Sequence, residues 1–499
     1  MLLSSSLVFV SVKLYHRPND GRFVGHDGFH ADNYRSYCAP AMVDMSNILR
    51  RIPPVHELLE SCLEEPWGKD YSREQLLKIV RDELKDVRDN SARNSSIPDK
   101  KTIVSKIGKR AEQVYRYSLQ KVINGTGVIV HTNLGRAPIS EAALTHLQEV
   151  SSGYSNLEFD LVKGERGTRD MHLDQILRAI LPVESSLVVN NNAAALLLVL
   201  NSLAEGKEVI VSRGELVEIG GSFRLPDVMK KSGAILREVG TTNRTRTQDY
   251  KKAISDQTGM ILIVHPSNYQ IIGFVERPVL EELVELGKQH NIPVVEDQGS
   301  GILTDLTSAG IEDEPQVETR LRSGVDLITF SGDKILGGPQ AGIICGKKKS
   351  VDQCRNNPLF RALRVDKLIY AALEATFMSY ARGRETDIPA IQMISQSAEV
   401  LRERAGQWLQ QLQQRFPDAE WSLEATQNYI GGGVAPMKEL ASFAVSLKPQ
   451  KPAHEVARLL RKATPPVIAR VENDRVFFEL RTIRPDEEDL IIKALDVIF

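Results

Sequence analysis

Two short segments of this 499-residue chain place reactive side chains where an apolar run opens into a glycine-rich turn. In the first, Ile292-Pro293-Val294-Val295 leads into Glu296-Asp297-Gln298-Gly299-Ser300-Gly301, which leaves Asp297 at a strand end. In the second, Leu327-Ile328-Thr329-Phe330 leads into Ser331-Gly332-Asp333-Lys334-Ile335-Leu336-Gly337-Gly338-Pro339-Gln340, which leaves Lys334 in a tight polar loop. A lysine amine can hold an aldehyde as an imine, and a carboxylate can keep a pyridine nitrogen protonated so that the ring accepts electrons. These are the two groups that pyridoxal phosphate (PLP) requires. The cofactor phosphate also needs backbone N–H donors at a helix start, and a hydroxyl. Asn190-Asn191-Asn192-Ala193-Ala194-Ala195 opens such a helix, with Asn191, Asn192 and Ala193 as the candidates, and Ser331 supplies a hydroxyl. Each feature alone is weak, because a strand-end Asp usually serves as a cap or turn residue. The order of phosphate loop, strand-end Asp and Ser-x-x-Lys is harder to obtain by accident.

The elements that must hold these residues follow from the periodicity. Beyond Val122, β-branched runs at 186–189, 208–211, 260–264, 292–295 and 326–330 end in Gly, Asn, Ser or Asp and alternate with helical stretches. That pattern predicts a mainly parallel α/β sheet, whose ligands gather outside the carboxyl ends of the strands. Upstream, Pro53-Pro54 opens one amphipathic stretch, and Ser72 with Gln75 forms a capping box ahead of a second. A third begins near Thr102, with Ile103, Ile107, Ala111 and Val114 on one face and Lys106, Lys109 and Arg110 elsewhere. Those cations suit RNA phosphates, although a basic helix face is more often merely solvated. Downstream of Glu385, helical patterning through Leu401 and Leu409 gives way to Gly431-Gly432-Gly433 and to a hairpin in which 467–471 and 476–480 flank Asn473-Asp474. The expected domains are therefore 45–121, helical; 122–384, the large PLP domain; and 385–499, a small α+β domain.

Composition bounds the rest. A hydrophobic share of 42% suffices for two or three cores. A formal charge of −2 excludes a protein that binds nucleic acid with its whole surface, so any RNA contact is local. Four cysteines without metal-ligand spacing predict neither disulfides nor a metal site, and fit a reducing cytoplasm. The apolar and serine-rich stretch from Leu2 to Leu14 is too short to span a bilayer. Residues 1–44 read as a disordered extension or a mis-assigned start, with Met42 or Met45 as the true first residue.

From Met45 to the C-terminus the chain closely resembles the bacterial selenocysteine synthases, the L-seryl-tRNA(Sec) selenium transferases. The resemblance lies in Asn133-Leu134-Gly135-Arg136, Asn190 to Ala194, Ser212 to Gly221, Val239 to Arg244, Ser267-Asn268-Tyr269, the Asp297 loop, Ser331 to Gln340, and Arg361 to Lys367. Two departures are Pro266, where the pattern has a threonine, and Glu296 beside Asp297. The resemblance implies a fold-type I PLP-dependent transferase with an N-terminal helical domain. It implies conversion of L-seryl-tRNA(Sec) to L-selenocysteinyl-tRNA(Sec) with selenophosphate, through a PLP-bound aminoacrylyl-tRNA. Lys334 would carry the cofactor and remove the Cα proton, and Asp297 would hold the ring nitrogen. Asp333 would tune the amine or help the hydroxyl leave, unless it is a loop cap. Asn268 would meet the ring oxygen, and His265 would lie near the cofactor or serve as a core histidine.

Selenophosphate is an anion, and Arg136, Arg361 and Arg364 are the candidates for its site. Arg361 and Arg364 are read as sharing one helical face, and the competing reading is a surface ion-pair stripe. Arg481 follows a hairpin strand, where it either points into the cleft or caps the strand. The family also implies a homo-oligomer, a ring of dimers cradling tRNA, without a membrane. A related PLP lyase acting on a small amino acid or amino sugar acid would share the core without needing tRNA. A catalytically silent RNA-binding scaffold would not need an intact Asp297 and Lys334.

Overall fold

The computed structural model describes residues 51–94, 96–219, 223–266, 268–312 and 314–499, so the 1–44 extension, Met42 and Met45 lie outside the described residues. The chain divides into two compact units, 1–119 and 120–499.

The first unit holds α1 (Val55–Glu64), α2 (Arg73–Asn94) and α3 (Lys100–Tyr115). Local chemistry sets where they begin. Ser72 and Gln75 exchange hydrogen bonds at the start of α2, Gln75 N–H to Ser72 Oγ at 3.3 Å and Ser72 N–H to Gln75 Oε1 at 2.8 Å. Asp99 accepts the Thr102 N–H at 2.7 Å and opens α3, a cap contributing about 1 kcal/mol. Leu58, Leu76, Val80, Leu84, Ile103, Ile107 and Ala111 form the core between the helices, each burial contributing roughly 1.5–3 kcal/mol for the larger side chains. Val114 departs from its expected face. It is 58% exposed, because it sits in the last turn of α3, past the residues that pack into this core. Of the basic residues Lys106, Lys109 and Arg110 on α3, Arg110 is tied to Glu83 at 2.9 Å and Asp86 at 2.8 Å on α2. Lys106 and Lys109 are exposed.

In the second unit the strands that build the two main sheets are β1 (Ile123–Gly125), β2 (Val128–Val130), β3 (Ser185–Val189), β4 (Glu208–Ser212), β5 (Ile235–Val239), β6 (Thr258–Val264), β7 (Val294–Gly299), β8 (Leu327–Ser331), β9 (Gly342–Gly346), β10 (Glu420–Gly431), β11 (Val434–Lys448), β12 (Val467–Glu472) and β13 (Arg475–Glu479). The seven-stranded sheet has the order β3-β9-β8-β7-β6-β4-β5, and only β9 runs antiparallel to its neighbours. Its strands are buried on both faces except the edge strand β5, where only Val239 is buried. Ile328 and Phe330 point into one apolar layer, while Leu327 points into the other.

The six-stranded sheet has the order β1-β12-β13-β11-β10-β2. Residues 123–130, which the sequence assigns to the large domain, therefore pair with C-terminal strands: Ile123 faces Val467 and Val128 faces Tyr429. The expected hairpin at 467–480 forms, and Asn473 and Asp474 take φ of 50° and 55°, the left-handed pair that a two-residue turn demands. Arg481 is buried, 3% exposed. It donates to the carbonyls of Met393, Gln396 and Ala441 at 2.7, 2.9 and 2.6 Å, and burial lowers its guanidinium to about 10. Among the described residues no helix is long and apolar enough to cross a membrane.

Candidate active site

Asp297 and Lys334 sit at the carboxyl ends of the neighbouring parallel strands β7 and β8, where Asp297 is in register with Thr329. Both side-chain hydrogen bonds to the Asp297 carboxylate end on Oδ1, from Asn192 Nδ2 at 2.7 Å and Thr329 Oγ1 at 2.9 Å. Its other oxygen receives neither. Burial raises this carboxyl above its ordinary range, opposed by those two hydrogen bonds and by Lys334 and His265. Lys334 is buried, and its amine makes no hydrogen bond or ion pair among the described residues. Burial lowers the amine below the ordinary lysine range. Arg136 acts in the same direction, while Asp297, Asp333 and Glu314 pull against it. The result is an amine biased toward its neutral, nucleophilic form.

The helix Asn192–Ala204 starts beside this pair. Asn191 caps it, accepting the Ala194 N–H at 2.8 Å, and the first intrahelical bond is made by Ala195 to Asn191 O. The N–H groups of Asn192 and exposed Ala193 therefore head the helix ahead of its own ladder, as an anion site requires. Asn192 has two duties, since its amide nitrogen also holds Asp297. Ser331 is buried at the end of β8. Asn268 donates Nδ2 to Glu218 O at 2.9 Å and leaves Oδ1 buried without a partner, so it offers an acceptor where contact to a ring oxygen calls for a donor. Asn192 Oδ1 and Ser300 Oγ are likewise buried and unpartnered. Buried polar atoms without partners are uncommon, and two of these belong to residues tied to the pair: Asn192 holds Asp297, and the Ser300 carbonyl accepts from Ile335, next to Lys334, so the donor set fits that cofactor.

Asp333, buried beside Lys334, accepts from Arg136 Nη1 at 2.7 Å. Arg136 takes a left-handed φ of 66° in the loop after β2, and lines a cavity of about 280 Å³ with Gly135, Met393, Thr482 and Arg484. The expected sharing of one helical face by Arg361 and Arg364 does not occur. The helix Pro358–Leu363 ends before Arg364, which has extended backbone and pairs with Glu158 at 3.1 Å. Arg361 is exposed in the last turn of that helix. The segment nevertheless lies against the phosphate-loop strand, because Asn190 N–H bonds Leu363 O at 3.0 Å and Arg364 bridges Val189.

Several groups escaped the sequence reading. Thr329 could have been found as the one hydroxyl inside the apolar run of β8. Glu158, which holds Arg169 and Arg364, carries no local signal. His265 donates its backbone N–H to Asp297 O at 2.9 Å and meets Glu314 Oε2 through Nε2 at 3.0 Å. Glu296, the departure beside Asp297, points to the opposite face of β7 and takes Arg320 Nε at 2.7 Å on both oxygens.

Behind that ion pair, Glu215 is buried and accepts the Val264 N–H at 3.0 Å, and burial pushes its carboxyl up to about 7. The folded state thus binds this proton more tightly than the unfolded chain does. The resulting stability is complete below the ordinary carboxylate range and is lost as pH rises through about 7, an effect on the order of 3 kcal/mol. Glu215→Gln should match the parent in urea unfolding at pH 5 and exceed it at pH 8. Equal midpoints at pH 8 would refute the assignment.

A family model described as L-seryl-tRNA selenium transferase matches residues 122–484. The L-seryl-tRNA(Sec) selenium transferase of Carboxydothermus hydrogenoformans is 44% identical over 456 residues, covering 91% of this chain and 98% of that one. The enzyme of the same name from Aquifex aeolicus is 43% identical, with 90% and 99% covered. Among solved structures, a D-glucosaminate-6-phosphate ammonia-lyase superposes with a TM-score of 0.54 over 78% of this chain and 97% of its own. At 18% identity that likeness shows the fold alone, the fold-type I α/β architecture.

Proposed function

Because the chain belongs to the L-seryl-tRNA selenium transferase family, we propose that it converts seryl-tRNA(Sec) to selenocysteinyl-tRNA(Sec) with selenophosphate, using PLP held by Lys334. The observation that carries this reading is the unpartnered amine of Lys334 beside a carboxylate whose hydrogen bonds all arrive at one oxygen. Asp297 would use its other oxygen to hold the ring nitrogen. The head of the Asn192 helix and Ser331 would hold the phosphate. Bound PLP supplies an electron sink that lets the Cα proton and then the β-hydroxyl of the seryl group leave.

Lys334 would be the base that takes the Cα proton. Asp333 keeps the Arg136 guanidinium beside that amine, and Arg136, Arg361 and Arg364 offer positive charge to selenophosphate. Lys106 and Lys109 on α3 offer charge to tRNA phosphates from the helical unit 45–121. An alignment of 456 residues is longer than the chain from Val122 to Phe499, so the likeness to the transferases reaches into that helical unit. A lyase acting on a small substrate would have no need of it. The chain would work in the cytoplasm, which suits the free thiols of Cys62, Cys345 and Cys354. It would work as a homo-oligomer, for which exposed Tyr154, Phe159, Leu161 and Val162 offer an apolar surface.

The test is conversion of seryl-tRNA(Sec) and selenophosphate by PLP-loaded protein. Conversion is expected, and Lys106→Glu with Lys109→Glu should raise KM for the tRNA by about tenfold or more at unchanged kcat, with the defect growing with salt. Turnover of a free amino acid or amino sugar acid by loaded protein that ignores the charged tRNA would establish the lyase instead.

A further inference from the structure

The run Gly431-Gly432-Gly433, prominent in the sequence, forms the tip of the β10–β11 hairpin, with φ of 79°, 66° and 71°. A side chain at Gly431 or Gly432 would strike Val128 or Val130 on β2 at 2.4 or 2.6 Å, so only glycine lets the tip lie this close. The tip turns the N–H of Ala435, itself at φ 43°, onto Glu314 Oε1 at 2.8 Å. The second oxygen of Glu314 meets His265 Nε2 at 3.0 Å, and the His265 backbone N–H holds Asp297 O at 2.9 Å. One carboxylate thus joins the C-terminal sheet to the loop that would hold the ring nitrogen.

We infer that Glu314 is a positioning residue of the reaction: anchored by Ala435 and His265, it fixes a negative charge that keeps the Lys334 nitrogen protonatable while the hairpin is seated. This rests on the PLP reading above. Burial opposes this charge, but the His265 and Ala435 contacts and Lys334 hold the carboxyl below its ordinary range, and Glu314 in turn favours the protonated Lys334 amine, after the larger effects of Asp297 and Asp333. Other charges face the same region. Glu296 and Asp297, on β7, both feel the charge of His265, and Arg136, Asp333 and Asp297 act on Lys334. Arg277, Lys438 and Glu312 line the cavity of about 340 Å³ that His265 and Glu314 share. Of these, only Glu314 ties the tip of the β10–β11 hairpin to His265. An ordinary ion pair between elements would have one anchor, whereas this carboxylate has one on each oxygen.

The experiment is a pH titration of the absorbance at about 420 nm that PLP shows when joined to a lysine amine, made on full-length loaded protein. Glu314→Gln, nearly the same shape without the charge, should lower the midpoint by about one unit and reduce kcat more than it raises KM. Glu314→Asp, which keeps the charge but shortens the reach, should recover at least half of that shift. A merely structural role predicts the reverse order, with Gln behaving as wild type and Asp disrupting the site. A midpoint for Glu314→Gln within about 0.2 unit of wild type, or a larger shift for Asp than for Gln, overturns the inference alone. Wild-type protein that takes up no PLP overturns the cofactor reading and this inference with it.

Discussion

Lys334→Ala is expected to yield a folded protein that lacks the absorbance at about 420 nm when mixed with PLP, and whose turnover falls on the order of 10⁴-fold or more. The size follows from two losses at one position. The amine would be both the covalent anchor and the base, and among the described residues the other cation acting on it, Arg136, is a third exposed, cannot give up its proton and is paired with Asp333. Folding should survive, because the native amine sits buried without a hydrogen-bond partner, and removing an unsatisfied polar group offsets the cavity it leaves. The spectrum and a single-turnover assay on seryl-tRNA(Sec) read the two losses separately. Turnover within tenfold of the parent would remove Lys334 from the chemistry.

The second large effect is expected at Asp297. Asp297→Asn keeps the size of the side chain and an oxygen to accept from Asn192 and Thr329, so the loop should hold its shape. What disappears is the negative charge at the end of β7, and with it the reason for a ring nitrogen to stay protonated. A loss of roughly 10²- to 10³-fold in kcat is expected, comparable to removing one preorganised electrostatic partner from an enclosed site. PLP should still be taken up through Lys334, so the absorbance band remains while turnover falls. A variant that keeps full kcat would mean that the carboxylate is structural. One that takes up no PLP would mean that it mainly holds the cofactor in place.

Much of this was legible in the sequence, and the boundary has a physical basis. Lys334, Asp297 and the Asn191 cap stand at the ends of strands buried on both faces, which read as unbroken apolar runs closed by a polar residue. β9 was not visible, because Gly342-Ile343-Ile344-Cys345-Gly346 follows the Lys334 loop with no helix between, and five residues give too little pattern. The partners of β1 and β2 were not visible either, since nothing within a short window announces pairing with residues near the other end of the chain. The same reasoning separates the site residues. Spacing could suggest that Arg361 and Arg364 share a face, but only the backbone shows that the helix stops at Leu363. Glu314 lies in an irregular segment and gains its role from two neighbours far away in sequence.

The two outermost strands of the six-stranded sheet are β1 and β2, which are separated by only Thr126 and Gly127. A ribosome releases both early, yet Ile123 waits for Val467, about 340 residues later, and at roughly 5–20 residues per second that delay is about 20–70 s. Until then the stretch 123–130 is an unpaired template next to a nascent PLP domain, and its loop-closure entropy makes this one of the slowest contacts to form. The loop carrying Arg136 follows directly, so the side of the proposed active site that holds the Arg136–Asp333 pair would be assembled only when translation is nearly over. A chain cut short before β12 would therefore lack both a complete sheet and a working site, and would present exposed strand edges of the kind that chaperones and proteases recognise.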